Sequence, residues 1–224
     1  MPFSPSLAAH VPAEGGGANG LKIWRDENWR RFGRGTRYVI SMPIVRRVGR
    51  EAFSEEMLRE LKSWLETAFG DRVGSWRDEM WTELGPGPHF IIEEDRDLLA
   101  HACLVFGQVR TGGMELETAF VENVATRVDR RREGLATAVM RAAQTEIMKE
   151  GDLGVLGTGT PAFYEPLGWE QWLGPTSVRE SDGTTTQTPE EDGFVYVLRT
   201  QRTPVDLDLT APIQRDRRDA DEPW

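Results

Sequence analysis

The chain has 224 residues, 38% hydrophobic and 29% charged, with a formal net charge of −10. That length holds one large domain or two small ones with ample core, and a pI near 4.9 gives no general attraction to a polyanion such as nucleic acid. No apolar run reaches the roughly 18 residues of a membrane helix, and no signal-peptide pattern opens the chain. The single cysteine, Cys103, sits in the apolar run "LLAHACLVF", and the three histidines at 10, 89 and 101 are scattered without metal-ligand spacing. A cytosolic, metal-free protein with a buried, reduced thiol is expected.

Residues 1–20, rich in Pro, Ala, Gly and Ser, read as disordered, and 21–42 as an extension of unknown role containing the basic, Trp-bearing "LKIWRDENWRRFGRGTR". A strand over 38–48 is interrupted at Pro43. Ser54 then opens an amphipathic helix: a serine cap, acids in the first turn, apolar Met57, Leu58, Leu61, Leu65 and Phe69, then Gly70. A short helix around 76–84 ends at "GPGP". The strands "HFIIEE" and "LLAHACLVFGQ" follow, with "DRD" as their turn, and "TGG" leads into a longer strand from Met114 to Thr126. Leu135, Val139, Ala142, Ala143 and Ile147 have helical period up to Glu150. A buried strand "LGVL" comes next, then a short helix "TPAFYEPL" capped by Thr160 with Pro161 at its first position. A strand near "WEQWLG", a polar excursion over 179–193, the strand "FVYVLR" and an aperiodic tail complete the chain. This order predicts one α/β domain with a mixed sheet, spanning 43–224.

Between the long strand and its helix stands Arg131-Arg132-Glu133-Gly134-Leu135-Ala136, four residues after Arg127. A helix N-terminus leaves backbone N–H groups unpaired, and the macrodipole adds positive charge there. Small residues at 134 and 136 let a ligand approach these amides, so the turn suits a pyrophosphate. A solvated basic helix start is the plainer alternative. The lysine of a P-loop and the three glycines of a dinucleotide fold are missing.

The hexapeptide resembles the R/Q-x-x-G-x-G/A signature of the GNAT N-acetyltransferases. That resemblance implies a twisted, mixed but mostly antiparallel sheet flanked by helices, with acetyl-CoA as cosubstrate and no metal. Its pyrophosphate would lie on the amides of 131–136, and its pantetheine arm on Val124 and Thr126 of a bulged strand. "FVENVATRVD", "FYEPLGW", "LGPTSV", "TPEEDGFVYVL" and the terminal "DADEPW" narrow the resemblance to the aminoglycoside 2′-N-acetyltransferases, in family order and near-family spacing from Phe120 to Trp224.

The narrower resemblance implies roles for particular residues. Glu122 would face the point where acetyl group and amine meet and take the amine's proton, directly or through water; a solvent-facing strand glutamate is the plain alternative. Tyr164 would protonate the departing thiolate, a phenol of reference pKa near 10 donating to a thiolate near 8.5; the alternative is a tyrosine packed beside Trp169. A polycationic acceptor needs acidic partners. Glu191, from the Glu190-Glu191-Asp192 loop, Glu222 and the Trp224 carboxylate would supply them, with Asp71, Asp78 and Glu79 as further acids.

Gly157 and Thr158 stand where the family has small hydroxylated residues, and the following connection is about two residues shorter. That alters the wall of the amine pocket, so an unusual aminoglycoside with fewer amines suits the chain as well as the common drugs do. Two other functions stay open at this level: acetylation of a polyamine, small amine or protein N-terminus, and a non-catalytic CoA-responsive module. Neither nucleic acid nor membrane is expected as a partner, and a homodimer is.

Overall fold

A computed structural model describes residues 43–69 and 87–217. Asp71, Asp78, Glu79, Glu222, Trp224, the first 42 residues and the expected helix around 76–84 all lie outside the described residues. The strand expected over 38–48 is described only as β1 (Arg46–Val48).

Helix α1 (Glu55–Phe69) begins as its sequence signals: the Met57 N–H donates to Ser54 Oγ at 3.2 Å, the side-chain cap that satisfies an orphan amide. Leu61 and Leu65 are its buried residues. Two hairpins follow. β2 (His89–Glu94) joins β3 (Asp97–Thr111) through Asp95 and Arg96, both at positive φ, and β3 joins β4 (Met114–Thr126) through Gly112 and Gly113, again both positive. Two-residue loops with φ > 0 at both positions match the right-handed twist of the strands they connect. Helix α2 (Leu135–Glu150) packs its buried Leu135, Val139, Met140, Ala143 and Ile147 against Ala102, Leu104, Ala119 and Val121 of the sheet.

β5 (Leu153–Gly157) lies parallel to β4. After the short helix α3 (Pro161–Tyr164) come β6 (Glu170–Gln171), β7 (Thr176–Arg179), β8 (Thr185–Gln187), β9 (Val195–Arg199) and β10 (Ile213–Asp216). The sheet order is β6-β9-β5-β4-β3-β10-β7-β8, with β2 and then β1 branching from the first half of β3. Among the described residues only β4·β5 and β10·β7 pair in parallel, so the sheet is mixed and mostly antiparallel, as expected.

Four details differ from the expectation. β7 and β8 arise inside and beside the supposedly irregular polar excursion, and β10 arises from the aperiodic tail. Each is three or four residues long, too short to show a period; β10 is held by β3 and β7, far away in the chain, and β8 pairs with β7 in a local hairpin at the sheet edge. Gly174 belongs to this region: a Cβ there would stand 2.0 Å from the Ala211 carbonyl, so only glycine lets the chain pass close enough for the Leu173 and Gly174 amides to donate to Leu209 O. The fourth detail is Thr160, which occupies the N-cap position of α3 without a capping side-chain hydrogen bond; its own N–H donates to Thr158 Oγ1 instead. Among the described residues no helix is long and apolar enough to cross a membrane.

Candidate active site

β4 and β5 pair only from Thr118↔Leu153 to Phe120↔Val155, although β4 runs on to Thr126 and β5 to Gly157. The two parallel strands therefore part at their C-terminal ends. Everything that follows either strand emerges beside this split: the 131–136 turn and the start of α2 after β4, and Thr158 and then α3 after Gly157, the last residue of β5. β9 runs the other way, with Val195 opposite Gly157, and the Thr158 N–H donates to Phe194 O at 2.8 Å. Its entry loop, containing Glu191, thus lies at the same end.

β4 also carries a bulge. His101 is opposite Ala125 and Cys103 opposite Glu122, so Asn123 and Val124 together face Ala102. Asn123 has φ 53, the left-handed conformation of one bulge type and one that asparagine tolerates better than most residues. The extra residue reverses the alternation of faces. Val121 and, after the bulge, Val124 pack with the α2 cluster, while Ala125 packs with Leu61 and Leu65 of α1. Glu122, half-buried, falls between the two halves on the face opposite Val121. Val124 and Thr126, half-buried as well, lie on the stretch of β4 past the split.

The basic turn divides its charges. Arg127 pairs with Asp97 and Asp129. Arg130 pairs with Glu94 and Glu133, and hydrogen bonds to those carboxylates raise its pKa further. Arg131 and Arg132 are exposed and have no carboxylate partner among the described residues. Arg132 at φ 68 and Gly134 at φ 82 curl the backbone. Gly134 is the N-cap of α2, with no side-chain cap bond and no acid in the first turn. The helix start therefore leaves its first amides without a side-chain cap, with the dipole's positive end and two exposed guanidiniums beside them. Glu133, one of the expected contacts, has its carboxylate engaged by Arg130 at 2.9 Å.

Tyr164 is buried at 8% exposure. Its ring packs edge-on against Phe163 and Trp169, with centroids 4.8 and 6.4 Å away, and burial pushes its pKa up to about 12. In the acidic loop the three carboxylates differ. Asp192 Oδ1 accepts from the Thr176 N–H at 2.8 Å and its hydroxyl at 2.9 Å, a structural tie to β7. Glu190 is exposed, and Glu191 is half-buried at the end of the Pro189–Glu191 turn. β10 runs parallel to β7 and antiparallel to β3, hence in the direction of β4, and heads from Ile213 toward the end that holds the split.

The structure brings together a set that sequence spacing conceals. His89, His101 and Cys103 are fully buried on β2 and β3, with possible ligand atoms within 4.8 Å of one another. His101 Nδ1 lies 2.8 Å from Asn123 O and its Nε2 2.9 Å from His89 Nδ1. The expectation that the histidines are scattered is therefore corrected for this pair, which the β2–β3 hairpin juxtaposes. The available sequence signal was Asn123 itself, a residue type depleted in strands, in the middle of one. Burial holds the His101 pKa down to about 4. Between that value and the unfolded 6.5 the unfolded chain binds more protons, so stability rises with pH across this window. The contribution is complete above about pH 6.5 and lost on acidification toward 4, about 3 kcal/mol at most. Urea unfolding at pH 7 and pH 4.5 should show the loss, and His101→Gln should flatten that pH dependence; an unchanged slope would rule His101 out as its source.

Comparison with known proteins agrees with this architecture. Residues 50–172 match the acetyltransferase (GNAT) domain family. The chain belongs to the GNAT acetyltransferase family. It is 38% identical over 151 residues to an aminoglycoside 2′-N-acetyltransferase of Mycolicibacterium fortuitum, an alignment covering 66% of this chain and 77% of the relative. Among solved structures, Escherichia coli ElaA has the same fold at a TM-score of 0.50 and 15% identity, covering 70% of this chain and 100% of that one. A probable N-acyltransferase from Enterococcus faecalis aligns at a TM-score of 0.48 and 22% identity over 57% of this chain, which spans only 32% of that structure's length.

Proposed function

We propose that the protein transfers the acetyl group of acetyl-CoA to the 2′-amino group of an aminoglycoside, a modification that confers resistance to the drug. The observation that carries this reading is the split between β4 and β5, with an uncapped helix N-terminus at one side and Tyr164 following the other. The similarity to the Mycolicibacterium fortuitum enzyme supplies the acceptor. In this reading the amides of 131–136 and the exposed guanidiniums of Arg131 and Arg132 hold the pyrophosphate, and the Val124 and Thr126 backbone pairs with the pantetheine arm along the open edge of β4.

The acceptor reaches the site as an ammonium and must lose a proton before its nitrogen can attack the thioester carbon. Glu122 takes that proton, directly or through a water. As the C–S bond breaks, Tyr164 offers its hydroxyl to the leaving sulfur. Glu191, Glu222 and the Trp224 carboxylate, with Asp71 and Glu79, hold the remaining ammonium groups, and Gly157 and Thr158 wall the amine pocket. A net charge of −10 suits a polycation, which it concentrates near the protein. The reading includes a single catalytic domain over 43–224, a cytoplasmic homodimer and no metal, with neither nucleic acid nor membrane as partner.

Incubation with acetyl-CoA and a panel of amines, following thiol release, tests the proposal. Release is expected with aminoglycosides carrying a 2′-amine and not with those carrying a 2′-hydroxyl; turnover confined to simple polyamines or peptides would overturn the acceptor assignment. Glu191→Gln should raise KM for the aminoglycoside about 10-fold, the loss of one charge-assisted hydrogen bond, and leave acetyl-CoA affinity unchanged. An unaltered KM would return the loop to plain solvated surface.

A further inference from the structure

The bulge at Asn123 decides which way β4 presents its groups, and it is held from beneath by side chains. A carbonyl only accepts, so His101, 2.8 Å from Asn123 O through Nδ1, carries its proton on that nitrogen. Its Nε2 lone pair then accepts from the Nδ1–H of His89 at 2.9 Å. One register pair away, the Cys103 thiol donates to Glu122 O at 3.4 Å. Two successive carbonyls of β4 are thus gripped from β3 by His101 and Cys103, and these two residues and His89 behind them are completely buried. Phe53 closes the far side, its ring 4.8 Å from that of His89.

We propose that the His89–His101 pair, with the Cys103 thiol beside it, is a positioning device for the transfer reaction: it fixes the β4 bulge at Asn123, and through the bulge sets the direction of Glu122 and the edge offered by Val124 and Thr126. The inference rests on the proposed function, which assigns those three residues their roles. Its physical basis is register. Moving the bulge along the strand shifts every residue between the old and new positions to the opposite face, so Val124 would leave the α2 side and Ala125 the α1 side. The backbone alone selects the position weakly, since left-handed φ at a non-glycine residue is unfavourable. A buried donor aimed at Asn123 O selects it strongly, because a bulge elsewhere would strand that donor away from water. The same three residues carry possible metal-ligand atoms within 4.8 Å of one another; a metal there would have to displace the proton shared between the two rings, which the zinc and chelator measurements below detect.

Two measurements test this. Nitrogen-15 NMR of histidine-labelled protein reads the tautomers without reference to activity. The Nδ1–H form is expected at both rings at pH 7, unchanged by added zinc or chelator; an Nε2–H form at His101, or a zinc-dependent shift, would overturn the proposal. The second compares His101→Gln, whose amide can still donate to Asn123 O, with His101→Leu, which cannot. In His101→Leu the backbone amide shifts of 122–126 should move, acetyl-CoA should bind about 10–100-fold more weakly, and kcat should fall, as for a site displaced by about an ångström; His101→Gln should recover most of each. Should His101→Leu not fold, Cys103→Ala against Cys103→Ser makes the same comparison with a smaller effect, about threefold. Equal acetyl-CoA affinity and kcat in the donor-bearing and donor-less variants would refute the positioning role. If wild-type protein fails to bind acetyl-CoA, the functional reading fails instead, so the two failures are distinguishable.

Discussion

Tyr164→Phe is expected to lower kcat about 10²-fold while leaving the fold and both substrate affinities intact. The ring contacts to Phe163 and Trp169 survive the substitution; only the hydroxyl is lost. A positioned general acid contributes about 10²–10⁴-fold, and the lower end applies for a reason visible in the site. Burial raises the phenol to about 12, so complete proton transfer to a thiolate of reference pKa about 8.5 is uphill by roughly 5 kcal/mol. Tyr164 therefore acts mainly by donating a hydrogen bond to sulfur as negative charge develops there. A phenol at about 12 stays protonated throughout the working range, so no basic limb below pH 10 in the rate profile belongs to it. Wild type and Tyr164→Phe should keep the same profile shape at different heights. Glu122→Gln should behave differently, slow at neutral pH and partly recovered at high pH, where the free amine is already populated. If both variants turned over an aminoglycoside at the wild-type rate at every pH, these residues would only pack and orient, and the mechanism would reduce to proximity of amine and thioester.

Gly134→Asp is expected to weaken acetyl-CoA binding by about 10²-fold or more, the equivalent of losing one or two charge-assisted hydrogen bonds. Space does not oppose the substitution, since a Cβ at 134 meets nothing within 4 Å. The backbone does so mildly: φ 82 is a region where an L side chain costs about 1 kcal/mol. The larger effect is competition. An aspartate at an N-cap accepts from the same first-turn amides that the pyrophosphate requires, so the variant would stabilise its helix by filling its own anion site. Gly134→Ala separates the two effects, having the same φ penalty without the carboxylate, and should bind far better than Gly134→Asp. Affinity for acetyl-CoA in the wild type should also fall as salt rises. Calorimetry giving the same Kd for wild type and Gly134→Asp would remove the 131–136 turn from the cofactor site.

Elements whose signals are short-range were legible in the sequence. The Ser54 cap and the apolar spacing of 57, 58, 61, 65 and 69 define α1, and the period from Leu135 to Ile147 defines α2. The turn residues at 95–96 and 112–113 define both hairpins. The anion-suited start of α2 could likewise be read from Gly134, Ala136 and the arginines, because a helix start exposes its amides whatever the rest of the chain does.

Tertiary structure alone decided the rest. Among the described residues it divided four arginines into two that are ion-paired and two that have no carboxylate partner, with Glu94 and Asp97 arriving from another hairpin to join the local partners Asp129 and Glu133. It made a strand of 213–216, whose partners β3 and β7 sequence proximity does not reveal, and so docked the short 176–179 and 185–187 hairpin onto the sheet. It also parted β4 from β5 after Phe120 and joined His89 to His101 behind the bulge. Caps, turns and periodicity act over a few residues and so are written locally. Register, a bulge and the pairing of buried polar groups form only after distant segments have met, and their energies depend on partners that no local window contains.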